Sequence, residues 1–246
     1  MNKDSIKKIL IVLPSLGPGG AERLAVSLAN DWIAKGYQVE FVIISSSYAL
    51  KEKQGKFSDL IGQDILIHDL NITKLRDAFM PLCKYFKKSR PDIIWVGLWP
   101  LTAIAISSWI LAGRIGRIYT IDHNQLSIST VRELNIPKIV VKTVTRCMYP
   151  FANGNMAVSE GVKRDMVNLT QLNPDKIKVI YNPAARGIGR SANISSTTKN
   201  KLWGDNPGKC ILSVGAFKVQ KNFKLLIEAF ALLTEEQTST LIILGE

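Results

Sequence analysis

Glycine and polar residues that could bind an anion follow the first apolar run of the chain. Residues 17–23 read GPGGAER, after the apolar run at residues 9–13 and before large apolar residues at helical spacing. Where a strand leads into a helix, free backbone N–H groups and the positive end of the helix dipole favour phosphate, and glycines let a ligand approach. The pattern predicts a phosphate site, with a bare tight turn as the alternative. The candidate residues are Gly19 and Gly20 for phosphate, and Glu22 and Arg23 for a substrate.

This turn differs from the G-x-G-x-x-G fingerprint of dinucleotide-binding enzymes. Gly17 and Gly19 match its first two glycines, but Glu22 stands at the position of the third. The third glycine allows close packing of helix on strand, so an acidic side chain there disfavours a dehydrogenase. A Rossmann-type oxidoreductase or epimerase is thus an alternative function against which Glu22 counts.

A polar triplet, Asp122, His123 and Asn124, follows the apolar run at residues 118–121. Ligands of open parallel sheets gather at the carboxyl ends of strands, so the triplet predicts a polar substrate site. His123 could donate a hydrogen bond there to a sugar or to a developing charge. The alternative is a loop histidine bonded to a neighbouring carbonyl. Ser159, by contrast, is predicted only to cap a helix.

Three basic residues, Lys138, Lys142 and Arg146, recur at every fourth position. This spacing places them on one stripe of a helix that also carries apolar residues. We expect the stripe either to bind anionic lipid or a lipid diphosphate, or to be an ordinary solvated helix face.

Composition restricts the partners. The chain has 246 residues, 46% of them hydrophobic, and a formal net charge of +12, which favours anionic partners. The basic residues are scattered, and no RNP, zinc-finger or basic-zipper pattern occurs, so nucleic-acid binding is not expected. The three cysteines form no C-x-x-C pair, which predicts neither a zinc site nor a disulfide framework and fits a reducing cytoplasm.

The uncharged stretch at residues 93–113 has the length of a transmembrane helix. Gly97 and Pro100 interrupt it, and ordinary turn residues flank it. We therefore expect a buried strand followed by a helix that starts after Pro100.

The elements that must position these residues alternate between β-rich apolar runs and helical patterns, which is typical of a parallel α/β sheet. A polar segment with few apolar residues predicts a linker at 186–208, between a domain at 1–185 and a short βαβ unit at 209–246. Strands are predicted at residues 9–13, 39–44, 65–70, 93–96, 118–121, 155–158, 177–181, 210–214 and 241–244.

Five blocks in one order resemble the retaining glycosyltransferases of family four, the large bacterial group that builds surface polysaccharides. The resemblance spans nearly the whole chain and implies a GT-B fold, with two Rossmann-like domains facing each other across a cleft and no metal requirement. The N-terminal domain would take the acceptor and the C-terminal domain the nucleotide sugar, UDP- or GDP-linked. The matching blocks are residues 19–23, 120–124, 157–162, 179–183 and 213–230.

The resemblance also implies roles for single residues. The histidine that matches His123 lies by the transferred sugar, and the lysine that matches Lys221, near Gly215, meets the donor diphosphate. The family pattern has an arginine where this chain has Ala216, and Lys218 could substitute without an arginine's bidentate geometry. The family's Glu-x7-Glu motif would lie beyond residue 246.

The sequence therefore predicts a cytoplasmic, membrane-peripheral enzyme that transfers a hexose from a nucleoside diphosphate onto a lipid-linked glycan, with retention by family resemblance. Because the donor-binding half is incomplete, we expect the chain to be inactive alone. The alternative is a non-catalytic acceptor-domain module that needs a second chain.

Overall fold

A computed structural model describes residues 7–17, 19–45, 62, 65–183, 200–201, 203–204, 208–217, 219–233 and 239–245. Pro18, Lys218 and most of the predicted linker lie outside these residues. The chain divides into two compact units, Met1–Ala184 and Ala185–Glu246.

Among its described residues, the first unit contains a sheet of seven strands that pair in parallel, in the order β3-β2-β1-β4-β5-β6-β7. The predicted α/β fold with a parallel sheet is confirmed, and each strand lies within two residues of its predicted bounds. The strands are β1 Lys8–Leu13, β2 Gln38–Ile43, β3 Leu66–Asp69, β4 Ile93–Gly97, β5 Arg117–Asp122, β6 Gly154–Ala157 and β7 Ile177–Val179.

Helices connect these strands, and local sequence sets several of their ends. Gly36, at a φ of 84°, follows the first helix in the left-handed conformation that favours glycine. Ser159 accepts a hydrogen bond from the Val162 N–H at 3.2 Å, so the predicted cap is confirmed. The helices are α1 Gly20–Ala34, α2 Phe79–Ser89, α3 Leu101–Leu111, α4 Leu126–Leu134, α5 Lys138–Met148 and α6 Glu160–Thr170, with 3-10 turns at Leu75–Ala78, Tyr149–Phe151 and Pro174–Lys176.

The stretch at residues 93–113 forms a strand and a helix, as its glycine and proline predict. β4 ends at Gly97, and Pro100 occupies the N-cap position of α3. Among the residues that the structure describes, no helix combines the length and the apolar character needed to span a bilayer.

Two apolar cores lie on the two faces of the sheet, because alternate residues of each strand point to opposite faces. Leu10, Val12 and Ile94 belong to the core that α2 to α6 cover, whereas Ile11 and Trp95 belong to the core under α1. Right-handed crossovers place every connection after β4 on one face. Over β4 to β6 the other face carries an apolar cavity of about 480 Å³, whose lining includes Leu28, Trp32, Trp95, Tyr119 and Met156.

The second unit contains two parallel strands, β8 Lys209–Val214 and β9 Ser239–Leu244, among its described residues. A 3-10 turn at Val219–Lys221 and the helix α7 Phe223–Ala231 connect them. This is the βαβ unit that the sequence predicts.

Candidate functional site

The carboxyl ends of the central strands bring the predicted site residues of the first unit to one edge of the sheet. Val12 pairs with Val96, Val96 with Thr120, and Asp122 with Ala157, so these strands end at similar heights. Gly19 and Gly20 follow β1, and His123 follows β5, two places away in the sheet. Two strand spacings amount to roughly 10 Å. The structure thus places the glycine turn and the polar triplet on the same rim.

Asp122 is almost completely buried, with 1% of its surface exposed. Its Oδ1 accepts a hydrogen bond from the Tyr149 hydroxyl at 3.1 Å, and Tyr149 is itself fully buried. Burial raises the pKa of Asp122 to about 7; the Tyr149 hydrogen bond opposes this shift, and the charge of Asp165 adds to it. Burial, followed by the charge of Asp122, also raises the pKa of Tyr149 well above its usual value. The site therefore holds a carboxyl group that changes protonation near neutral pH.

His123 lies against the end of the neighbouring strand β4. A Cβ added to Gly97 would be 3.5 Å from His123 Nε2, an ordinary contact distance, and 3.1 Å from Ile121 Cγ2, so the absence of a side chain at Gly97 allows the close approach of Ile121 on β5. Burial lowers the pKa of His123, so its ring is predominantly neutral at pH 7. A neutral imidazole can donate or accept a hydrogen bond, but it contributes no fixed positive charge.

A pocket of about 140 Å³ lies beside these residues, between the loop after β4 and helix α4. The sequence interpretation identified Asp122, His123 and the exposed Asn124, but it missed Trp99 and Glu133. The available signal for Trp99 was its position after β4, at the same edge as the triplet. The lining includes Leu98, Trp99, Asp122, His123, Asn124 and Glu133.

The glycine turn is occupied by its own acidic residue. Gly19 is the N-cap of α1, and a Cβ at this position would be 2.8 Å from Cδ of Glu22 and closer still to its carboxylate. A carboxylate at a helix N-terminus is favoured by the same dipole and N–H groups that favour phosphate. Glu22 thus competes for the phosphate position predicted at Gly19 and Gly20. Arg23 is exposed, and its backbone N–H donates to the Gly19 carbonyl.

In the second unit, Gly215 and Lys221 lie together. A Cβ at Gly215 would be 3.3 Å from Lys221 Cε, so the lysine stem lies across the turn after β8. Lys221 is exposed, and the 3-10 turn that it ends precedes α7. Ala216, where the family pattern has an arginine, is also exposed. Lys218, the predicted substitute, lies outside the described residues.

As an asparagine directly before an apolar helical pattern, Asn222 is predicted from the sequence to cap the helix α7 with its side chain, and this mechanism is wrong. Asn222 does occupy the N-cap position of α7, but its side chain makes no capping hydrogen bond. Its backbone is left-handed, at a φ of 48°. Asparagine tolerates this conformation better than most residues, so the turn geometry explains its presence.

The basic stripe lies on an exposed surface that also carries apolar side chains. Lys138, Lys142 and Arg146 are all exposed on α5, and Ile139 beside them is 68% exposed. We define the α4–α5 surface as these basic residues together with the exposed apolar residues Ile128, Val131, Leu134, Ile139 and Val140. An open apolar groove of about 560 Å³ adjoins it between α3 and α5.

Among the described residues, no group of three or more histidine, cysteine, aspartate or glutamate side chains could hold a metal ion.

The seven-stranded parallel sheet and the polar site at its carboxyl edge define a Rossmann-like unit, the kind of unit of which GT-B folds are composed. A solved structure of the lipopolysaccharide outer core galactosyltransferase WaaB matches 96% of this chain and 60% of its own, at a TM-score of 0.64 and 16% identity. Anabaena HepE, solved with UDP-glucose, matches 96% of this chain and 60% of its own, at a TM-score of 0.65 and 18% identity.

The UDP-N-acetylglucosamine 2-epimerase of Rickettsia bellii has a similar structure as well, at a TM-score of 0.59 and 13% identity, over 98% of this chain and 62% of its own. At such identities the likeness defines the fold and leaves the reaction open.

Residues 18–184 match Glycosyltransferase Family 4, and the chain belongs to this family. A curated relative from Campylobacter jejuni is the N-acetylgalactosamine-N,N'-diacetylbacillosaminyl-diphospho-undecaprenol 4-alpha-N-acetylgalactosaminyltransferase. It is 27% identical over 98% of this chain and 63% of its own length. The chain thus spans about three fifths of the length of the proteins that it matches.

Proposed function

We propose that this chain contains the acceptor-binding part of a glycosyltransferase that transfers a sugar from a nucleotide donor to a lipid-linked glycan. The observation that carries the proposal is the buried Asp122 next to the half-buried His123, beside a pocket at the carboxyl edge of the sheet. The edge lies within the residues that match the family. The relative from Campylobacter jejuni, named for a lipid diphosphate-linked substrate, supports the acceptor class.

The donor in this proposal is a nucleoside diphosphate sugar. We favour UDP as its nucleotide, and GDP is the second candidate. The UDP-glucose bound by Anabaena HepE supports UDP. Lys221, whose stem lies across Gly215, would place a positive charge on the donor diphosphate, as the family resemblance implies. The part of the relatives' length that this chain does not span would supply further donor contacts, so we propose that the chain alone is inactive.

The proposed reaction is a sugar transfer with retention of configuration. An acceptor hydroxyl oxygen forms a bond to the anomeric carbon, the bond from that carbon to the diphosphate breaks, and the electron pair leaves with the diphosphate. The hydroxyl proton passes to the departing diphosphate oxygen. Neutral His123 would donate a hydrogen bond to the transferred sugar and so orient it.

The test compares two histidine variants, because the sequence contains two histidines. Each variant is assayed for transfer of labelled sugar from UDP- and GDP-sugars to polyprenyl diphosphate-linked glycans, in the chain joined to residues that restore the relatives' length. His123→Ala should lose at least about a hundredfold in rate, within the range usual for a lost acid–base or orienting group. His68→Ala is the control, because His68 is exposed and stacks on Tyr85. Equal rates for both variants would contradict the role of His123.

We also propose that the α4–α5 surface attaches the protein to the inner face of the cell membrane. Exposed isoleucine and valine beside three basic side chains suit the boundary between anionic headgroups and acyl chains. This attachment would hold the pocket, which α4 lines, near the membrane in which a lipid-linked acceptor resides.

Flotation with vesicles that contain anionic lipid tests this attachment. Replacing Lys138, Lys142 and Arg146 by alanine should reduce the bound fraction several-fold. The matched control replaces Lys84, Lys87 and Lys88, three exposed lysines of α2, and removes the same charge. A similar loss in both variants would point to net charge and would overturn the proposed surface.

A further inference from the structure

Three buried polar atoms around the small pocket have no hydrogen-bond partner among the described residues. They are Trp99 Nε1, Asp122 Oδ2 and His123 Nε2, and the described chain contains four such side-chain atoms in all. Leaving a buried polar atom without a partner costs about 1–3 kcal/mol, so native proteins rarely concentrate such atoms in one place. Their concentration on the lining of one pocket indicates a ligand that completes these bonds.

The chemistry of the three atoms restricts that ligand. An indole N–H only donates, whereas a carboxyl oxygen and a neutral imidazole nitrogen can accept. The ligand therefore needs an acceptor for Trp99 and a donor for Asp122 or His123. The pocket wall also contains the apolar side chains of Leu98, Leu126 and Leu134.

The size of the pocket indicates a substituent. At roughly 30 Å³ for each water molecule, its volume of about 140 Å³ corresponds to a handful of waters. An acetamido group combines a carbonyl acceptor, an N–H donor and a methyl group within such a space. A sugar hydroxyl would leave the leucine side chains without an apolar contact.

We propose that this pocket binds the acetamido group of an N-acetylated amino sugar, and that Trp99 determines specificity for it. The Trp99 indole N–H donates to the acetamido carbonyl oxygen, Asp122 Oδ2 accepts from the amide N–H, and the leucines contact the methyl group. The assignment of this sugar to the acceptor rests on the proposed function. The claim that the pocket binds an acetamido group does not depend on the proposed function.

Nuclear magnetic resonance of the ¹⁵N-labelled chain tests the proposal directly. The chain has five tryptophans and hence five indole N–H signals, and Trp99→Phe identifies the signal of Trp99. If that variant fails to fold, single Trp→Phe changes at the other four positions identify the signal by elimination. Unlabelled N-acetylgalactosamine is then added, with galactose, which differs in having a hydroxyl for the acetamido group, as the matched control.

The expected result is a shift of the Trp99 signal with N-acetylgalactosamine and none with galactose at the same concentration. Asp122→Asn, which keeps the volume of the side chain, should weaken binding about tenfold through the loss of one hydrogen bond. Equal shifts with both sugars, or no shift with N-acetylgalactosamine, would overturn the proposal.

The transfer assay distinguishes this failure from failure of the proposed function. Transfer to N-acetylated acceptors without a response of the Trp99 signal would reject the pocket alone. A response of Trp99 in a chain that transfers no sugar even when it is joined to residues that restore the relatives' length would reject the proposed function alone.

Discussion

At the scale of single residues, Asp122 and His123 respond to burial in opposite directions. Burial raises the pKa of the Asp122 carboxyl to about 7 and lowers the pKa of the His123 imidazole, because the charged form of each loses hydration. Near neutral pH the imidazole is therefore mostly neutral, whereas the carboxyl is divided between its protonated and ionised forms. Their hydrogen bonds to a ligand then depend on protonation as well as on geometry.

The pKa of Asp122 predicts a pH dependence of stability. The carboxyl binds a proton more tightly in the folded chain than in the unfolded chain, whose pKa is near 3.8. Its contribution to stability is therefore complete below pH 3.8 and is lost as the pH rises through 7. At about 1.4 kcal/mol for each pH unit, the loss approaches about 4 kcal/mol.

Asp122→Asn should remove this loss, because the amide stays neutral and still accepts from Tyr149. Denaturant unfolding of both chains between pH 5 and pH 8 measures it, and the difference between them cancels the contribution of His123. Parallel pH profiles for the two chains would refute a raised pKa in the folded state.

A second prediction concerns the close packing of Gly97 against Ile121, two residues before His123. Gly97→Ala would place a Cβ 3.1 Å from Ile121 Cγ2 and 3.2 Å from the Ile121 carbonyl oxygen, so the end of β5 that precedes His123 has to shift. In the chain joined to residues that restore the relatives' length, we expect about tenfold or more loss of transfer, with a stability cost of about 1–3 kcal/mol from overpacking. Gly36→Ala is the control, because its φ of 84° costs stability at the end of α1, away from the site. A loss of activity no larger than that of the control would exclude the steric effect.

Sequence reasoning identified the polar triplet correctly as lying at a strand end, because strand ends are local features. It could not predict the burial of Asp122, which depends on Tyr149, 27 positions later in the chain. It also missed Trp99, because only the pairing of β4 with β5 brings Trp99 close to His123. These contacts join residues that are distant in the sequence. The spacing of apolar residues along the chain carries no information about them.

At the scale of elements, the ends of helices at the carboxyl edge are fixed by different means. Ser159 caps α6 through its side chain, whereas α1 has Gly19 as its N-cap, with the carboxylate of Glu22 folded back over it. Asn222 starts α7 through its left-handed backbone. The sequence predicted that each of these three residues precedes a helix. How each residue fixes the helix end depends on its dihedral angles, which composition does not determine.

The cap at Ser159 gives a prediction for the stability of α6. Ser159→Ala leaves the Val162 N–H without its side-chain acceptor and should cost about 1 kcal/mol. Ser159→Gly should cost only a few tenths, because glycine exposes the helix end to water. Denaturant midpoints with unchanged slopes would measure both effects. An alanine variant as stable as the wild-type chain would mean that the cap hydrogen bond contributes nothing.

At the scale of the whole molecule, the parallel sheet and its strand positions were predictable because buried parallel strands are continuous apolar runs between turn residues. The edge strand β7 was predicted too long: it ends at Val179, and Tyr181 beyond it is exposed. An edge strand pairs on one side only, so pairing with β6 alone decides its length. The open apolar face over β4 to β6 follows from crossover handedness and not from any local pattern.

The net charge of +12 gives a last prediction, on the salt dependence of membrane attachment. Raising the ionic strength from about 0.1 M to 1 M shortens the Debye length from about 10 Å to about 3 Å, so attraction to anionic vesicles should weaken strongly. Burial of Ile139 and its apolar neighbours in the α4–α5 surface does not depend on charge screening, so part of the binding should persist in high salt. Ile139→Ser should abolish most of this salt-resistant part and leave the low-salt binding largely intact. Co-sedimentation across the salt series measures both parts; complete release of the wild-type chain in high salt would show that charge alone holds it to the vesicles.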